Sequence, residues 1–265
     1  MTIYLDQNAI HLWMTSFDQI DDENLLRRYQ TLLSDEEREQ QRRFHFEIDR
    51  RCYLVARALV RSVLSRYEPV APRDWQFTAN AYGRPEIAAV HGEAARLRFN
   101  ISHTNSLILM GVACQRWLGV DVENDRLREA PVDAALSYFA EREVQDLYAL
   151  PPTRQKERFF EYWTLKESYI KARGRGLSIP LDRFSFDFPS DQHVRLSVDE
   201  SLSDSASRWW VWQFRLLDDY IGAVCSERDS ETIPQLLLRH VIPLDRERSV
   251  NLDCLRCSSE LIRSF

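Results

Sequence analysis

The chain has 265 residues, 44% hydrophobic and 29% charged, which is ample for a buried core and argues against a disordered chain. A formal net charge of −6 disfavours non-specific nucleic-acid binding. Only 7 glycines occur, with no G-x-x-x-x-G-K-[ST] and no strand-linked G-x-G-x-x-G, which argues against a P-loop or Rossmann site.

The amino terminus carries Asp6 and His11 and shows no basic leader or small-residue cleavage site. No apolar run approaches the roughly 18 residues a membrane helix needs. Cys52, Cys114, Cys225, Cys254 and Cys257 are scattered, which fits free thiols in a reducing compartment. Cys254-x-x-Cys257 has no second CxxC or nearby histidine to make a zinc site. A cytoplasmic location is therefore expected.

In chain order, Ser34-x-x-Glu37 has the spacing of a capping box and opens a helix. A longer helix is predicted over 49–67, stopped by Pro69. Residues 96–101 alternate polar and apolar as a half-buried strand, and 107–114 form an apolar run suited to a central strand. A strand over 117–123 begins a second half. Residues 124–132 read as a loop, and helices follow over 141–150 and 155–173 with Gly174 as the stop. Strands are predicted over 184–188, 194–198, 209–217 and 220–225, while 226–265 reads as charged and irregular. The fold class is α+β, in two similar halves with a pseudo-twofold arrangement. The halves are 1–115 and 116–226, followed by an extension, 227–265.

The chemistry concentrates in two segments. Gly119-Val120-Asp121-Val122-Glu123 places two carboxylates at i and i+2, on one face of a strand, with the valines facing a core. Trp163 to Lys171 places Glu167 and Lys171 at i and i+4 on one helical face. Three carboxylates brought together repel unless a cation joins them, so Asp121, Glu123 and Glu167 are expected to hold Mg2+. The plain alternative is an edge-strand pair and a surface ion pair, but Phe159, Phe160, Trp163 and Ile170 crowd the same helix.

Asn100-Ile101-Ser102-His103 can be assembled with Asp121 into a hydrolase triad on paper. Adjacent strand residues point to opposite faces, and no G-x-S-x-G elbow exists. Ser102 and His103 are read instead as donors for a phosphate. Arg84, in a Gly83-Arg84-Pro85 turn, suits bidentate phosphate binding. Arg42, Arg43, Arg50, Arg51 and Arg57 form a basic helix face.

Taken together these residues resemble the 4'-phosphopantetheinyl transferases of the surfactin-synthetase-activating (Sfp) type. The matching pieces are Gly83-Arg84-Pro85, Phe99 to His103, Gly119 to Glu123, and Phe160-x-x-Trp163-x-x-Lys166-Glu167-x-x-x-Lys171-x-x-Gly174-x-Gly176-Leu177. The resemblance implies coenzyme A in a cleft between the halves, as substrate. Its phosphopantetheine arm would pass to a serine of an apo acyl, peptidyl or aryl carrier protein, leaving adenosine 3',5'-bisphosphate. It implies Mg2+ on Asp121, Glu123 and Glu167, and catalytic roles for Asp121, Glu167 and Lys171. Coenzyme A contacts are implied for Arg84, Asn100, Ser102, His103 and Lys171, and Lys171 is also implied to assist the departing phosphate. Gln40 stands where relatives often carry a basic residue for the 3'-phosphate, and Arg51 or a neighbouring arginine is expected to take its place. Arg126 and Arg128, with Tyr138 and Phe139 nearby, are the expected carrier-docking residues. A monomer is expected, with no membrane or nucleic-acid partner. Two readings compete: a silent relative that binds without transfer, and an unrelated Mg2+-dependent phosphodiesterase or nuclease.

Overall fold

Both predicted helix signals in the first half are realised, and they show how local sequence sets the frame. In the computed structural model, which describes residues 2–127 and 129–258, a first strand β1 (Ala9–Ser16) leads to α1 (Glu23–Gln30), α2 (Asp35–Arg43) and α3 (Glu47–Leu64). Ser34 Oγ accepts from Glu37 N (3.2 Å) while Glu37 Oε2 accepts from Ser34 N (3.0 Å), the reciprocal pair that a capping box requires. Glu37 also takes the guanidinium of the buried Arg61 at 2.8 Å and that of Arg57. Arg57, read as part of a basic face, is therefore tied inward.

A short hairpin, β2 (Phe77–Ala79) and β3 (Pro85–Ile87), precedes β4 (Leu97–Thr104) and β5 (Leu107–Cys114). The second half begins with β6 (Leu118–Asn124), followed by α4 (Ala135–Tyr138), α5 (Glu141–Ala149) and α6 (Pro152–Arg173). Pro152 lies in the first turn of α6, where a missing N–H costs nothing. Gly174 ends the helix with φ +64°, a left-handed cap suited to glycine. Then come β7 (Phe184–Ser190), β8 (His193–Val198), β9 (Trp209–Leu216) and β10 (Tyr220–Glu227).

The reading of 226–265 as irregular is overturned for its described part. It supplies β11 (Gln235–Ile242), β12 (Arg246–Val250) and β13 (Asp253–Cys257). β11 runs parallel to β1, from Ala9↔Gln235 to Met14↔His240, and β13 lies antiparallel on β9. The sheet orders are β12-β11-β1-β5-β4 and β6-β10-β9-β13-β8-β7. One segment thus serves both sheets. β11 adds to the edge of β1 and β13 lies between β9 and β8, and the apolar residues Leu236, Leu237, Leu238, Val241 and Ile242 are the local strand signal within this charged segment.

Three cores hold the layers together. In the first half α3 packs on one face of its sheet through Val55, Leu59 and Val63. In the second, α6 packs on its sheet through Phe160, Leu165 and Tyr169. The opposite faces of the two sheets meet in a third core that includes Leu12, Leu109, Val120, Val122 and Trp212. The fold is mixed α+β with two sheet-containing halves, as expected. Among the described residues no helix is long and apolar enough to cross a membrane. Cys52, Cys114, Cys225 and Cys254 are unpaired thiols.

Candidate functional site

The site forms where the edge strands of the two sheets face each other. Among the described residues β6 pairs with β10 alone and β4 with β5 alone, so each presents an open edge. Asn100 on β4 accepts from the Val120 amide of β6 (2.9 Å), bridging the two edges in a buried position. The alternation predicted for β6 holds: Val120 and Val122 enter the shared core, and Asp121 and Glu123 turn toward β4.

Two hydroxyls on β4 meet these carboxylates in register. Ser102 Oγ lies 2.8 Å from Asp121 Oδ1, and Thr104 Oγ1 donates to Glu123 Oε2 at 3.0 Å. All four side chains are buried. Hydrogen bonds to charged groups in such settings contribute about 1.5–3 kcal/mol. Thr104 is a further site residue, and its i, i+2 spacing from Ser102 on one strand is the sequence signal for it.

α6 adds the third side of the site. Lys171 Nζ donates to Ser102 Oγ (2.9 Å) and to Asp121 Oδ1 (2.6 Å). Gly119 lets this happen: a Cβ there would stand 2.0 Å from Ser168 O and 2.3 Å from Ala172 N, so β6 and α6 touch backbone to backbone. Glu167 faces the same site. Burial, then the charges of Asp121 and Glu123, push its carboxyl up to about 7, with Lys171 opposing. Asp121 Oδ2 is buried and makes no hydrogen bond. Among the described residues, no three His, Cys, Asp or Glu side chains stand together as a ready-made ligand set.

The remaining sequence candidates are spread around this centre. His103 keeps part of its surface open to solvent, and the desolvation of its imidazole by surrounding protein, then the Lys171 ammonium, hold it below its usual range. Arg84 donates to Ala172 O (3.0 Å), pairs with Glu86 (3.0 Å) and stacks on Trp117 at 3.7 Å from its ring centre. Arg51 lies elsewhere, in a groove between α1, α2 and α3 beside Glu47 (3.7 Å), and Gln40 is exposed. Arg126 is exposed and paired to Asp219 at 3.3 Å. Tyr138 is exposed, but Phe139 is buried against Phe159, so only Tyr138 of that pair offers surface. Arg128 lies outside the described residues.

Lys166, beside Glu167, turns the other way. It is fully buried, 2.7 Å from Glu143, and donates to the carbonyls of Leu181 and Phe184 at 2.8 Å each. Burial alone moves both groups toward neutrality and their mutual attraction opposes it.

Two family models match the chain. One, for the N-terminal part of 4'-phosphopantetheinyl transferase, covers residues 21–115, and one for the 4'-phosphopantetheinyl transferase superfamily covers residues 118–225. The chain belongs to the 4'-phosphopantetheinyl transferase superfamily. It is similar to 4'-phosphopantetheinyl transferase Sfp of Bacillus subtilis (strain 168), with 33% identity over 75% of this chain and 84% of that one. It is also similar to 4'-phosphopantetheinyl transferase HetI of a Nostoc species, with 34% identity over 67% of this chain and 73% of that one. A crystal structure of Thermotoga maritima holo-[acyl-carrier-protein] synthase is a fainter likeness, with 20% identity over 43% of this chain and 64% of that one and a TM-score of 0.35. In this transferase the strands β11 to β13 lie beyond both family models.

Proposed function

We propose that this transferase moves the 4'-phosphopantetheine arm of coenzyme A to a serine of an apo carrier domain, releasing adenosine 3',5'-bisphosphate. The observation that carries the reading is the cluster of Asp121, Glu123, Glu167 and Lys171, which β6 and α6 of the second half hold against Ser102 and Thr104 on the facing edge of the first. Such a cluster suits phosphoryl transfer, in which positioning and electrostatics do most of the work.

Asp121, Glu123 and Glu167 would hold a divalent cation, with Mg2+ the natural candidate for an all-oxygen donor set. The fit is supported by the buried Oδ2 of Asp121, which lacks a hydrogen-bond partner among the described residues, and by Glu167, whose carboxyl is raised first by burial and then by the neighbouring carboxylates. When bound, Mg2+ would offset charge on the pyrophosphate oxygens. Glu167, poised near neutrality, is suited to take the proton of the carrier serine. The serine oxygen then bonds to the β-phosphorus as the bond to the bisphosphate leaving group breaks. Lys171 offsets charge on the departing phosphate.

Arg84, Ser102 and His103 are assigned to the coenzyme A phosphates, Asn100 to holding β4 against β6, and Arg51 to the 3'-phosphate. Carrier docking is assigned to the surface after β6, where Leu127, Leu136 and Tyr138 are exposed beside Arg126. An acidic carrier would meet the arginine and the apolar side chains together. Acyl and peptidyl carriers are both candidates.

Intact-mass spectrometry of apo carriers incubated with the protein, coenzyme A and Mg2+ tests this. A phosphopantetheine-sized gain, lost with EDTA and with the carrier serine changed to alanine, is expected. Nucleotide release without any carrier would favour hydrolysis instead.

A further inference from the structure

The β2–β3 hairpin tip reaches across from the first half to the C-terminal turn of α6. Asn80 Nδ2 donates to Gly174 O at 2.8 Å. The same side chain shapes the tip, since Asn80 Oδ1 accepts from Tyr82 N (2.9 Å) and Arg84 N (3.0 Å). The carboxamide thus splits its work: its oxygen builds the turn, and its N–H group leaves the hairpin altogether. Two backbone bonds, Asn80 N to Arg84 O and Gly83 N to Asn80 O, both 3.0 Å, fix the tip rigidly behind that donor.

Helix ends leave carbonyls that the helix itself cannot satisfy. Gly174, in its left-handed cap, donates its N–H to the carbonyls of Ile170 (3.0 Å) and Lys171 (3.1 Å) and presents its own carbonyl to Asn80. A short path of hydrogen bonds therefore runs from Asn80 through Gly174 to the peptide of Lys171. The Lys171 ammonium meanwhile reaches Ser102 and Asp121. Arg84 also contacts this turn, through Ala172 O, but its guanidinium is shared with Glu86 and Trp117. A guanidinium that turns toward a phosphate gives up other partners. The neutral carboxamide of Asn80 has no such competing attraction.

We infer that Asn80 is a positioning residue for phosphopantetheinyl transfer: its N–H latch holds the last turn of α6 against the first half and so places Lys171 between Ser102 and Asp121. The inference rests on the proposed role of Lys171 at the departing phosphate. It concerns the approach of the two halves at one peptide, and Asn80 meets Arg84 through that residue's backbone groups, which leaves the guanidinium to its own partners.

Asn80→Ser tests it. A serine hydroxyl can accept from the Tyr82 amide as a turn-forming side chain does, yet it is too short to reach Gly174 O. With an apo carrier, coenzyme A and Mg2+, kcat should fall about tenfold, while KM for coenzyme A stays within about twofold and the melting temperature barely moves. An unchanged kcat would overturn the inference, as would a rise in KM with kcat intact. A loss of kcat that merely follows a lower melting temperature would overturn it too. Wild-type turnover in the same assay separates this outcome from failure of the transfer reading. Should the wild type not transfer, amide hydrogen exchange still decides on the latch. Exchange at residues 172–174 should be faster in Asn80→Ser, and equal rates would reject the latch.

Discussion

The ammonium of Lys171 lies 2.6 Å from Asp121 Oδ1, although one residue belongs to a helix and the other to an edge strand of a sheet. The contact exists because Gly119 brings β6 against the α6 backbone, and because Asp121 needs compensation beside Glu123 and Glu167. Lys171→Ala should therefore lower kcat by roughly tenfold to a thousandfold while changing KM for coenzyme A much less. Steady-state kinetics with one apo carrier measures both. A raised KM with intact kcat would make Lys171 a phosphate clamp only.

Glu167→Gln keeps the shape of the side chain and removes one of three neighbouring negative charges. Transfer should fall at least a hundredfold, while the melting temperature in EDTA stays the same or rises, since like-charge repulsion is relieved. Near-normal turnover in a folded variant would remove Glu167 from the mechanism.

The Glu143–Lys166 pair predicts a stability effect of a different kind. Both side chains have no exposed surface. Lys166→Met should destabilise the fold by about 3–5 kcal/mol, because it leaves Glu143 buried and uncompensated. Adding Glu143→Leu should recover much of that loss, and a double-mutant cycle by urea denaturation would measure it. If the double variant is no better than the single one, the pair's charge compensation is not what matters.

His11 gives the pH dependence. It is buried, and the Tyr67 hydroxyl lies 2.9 Å from its Nδ1 while accepting from Trp13 Nε1 at 2.8 Å, so the Tyr67 proton can point to the imidazole. Burial, then the charge of Arg239, lower its pKa to about 4. Between about pH 4 and 6.5 the unfolded chain then binds more protons at this residue than the folded one. Stability from His11 is therefore fully present above about pH 6.5 and is lost as pH falls toward 4, on the order of 2 kcal/mol by pH 5. Comparing urea midpoints at pH 7 and pH 5 for wild type and His11→Gln isolates this contribution. Equal pH slopes in the two proteins would show that His11 plays no part.

Local sequence alone determined the elements that carry the chemistry. Two-residue alternation put Asp121 and Glu123 on one face of β6, four-residue spacing put Glu167 and Lys171 on one face of α6, and Gly174 stopped that helix. The capping box at Ser34 was equally legible, because the interactions that make it span three residues. Tertiary structure decided which partners these groups meet. Ser102 and Thr104 find their carboxylates only because the open edges of two sheets align, and such alignment leaves no periodic trace. β11 joins its sheet at the edge of β1, far away in the chain. Lys166, a residue type that favours water, is buried because Glu143 and two carbonyls wait for it there. Spacing fixes direction along one element, whereas burial and pairing depend on what packs against it.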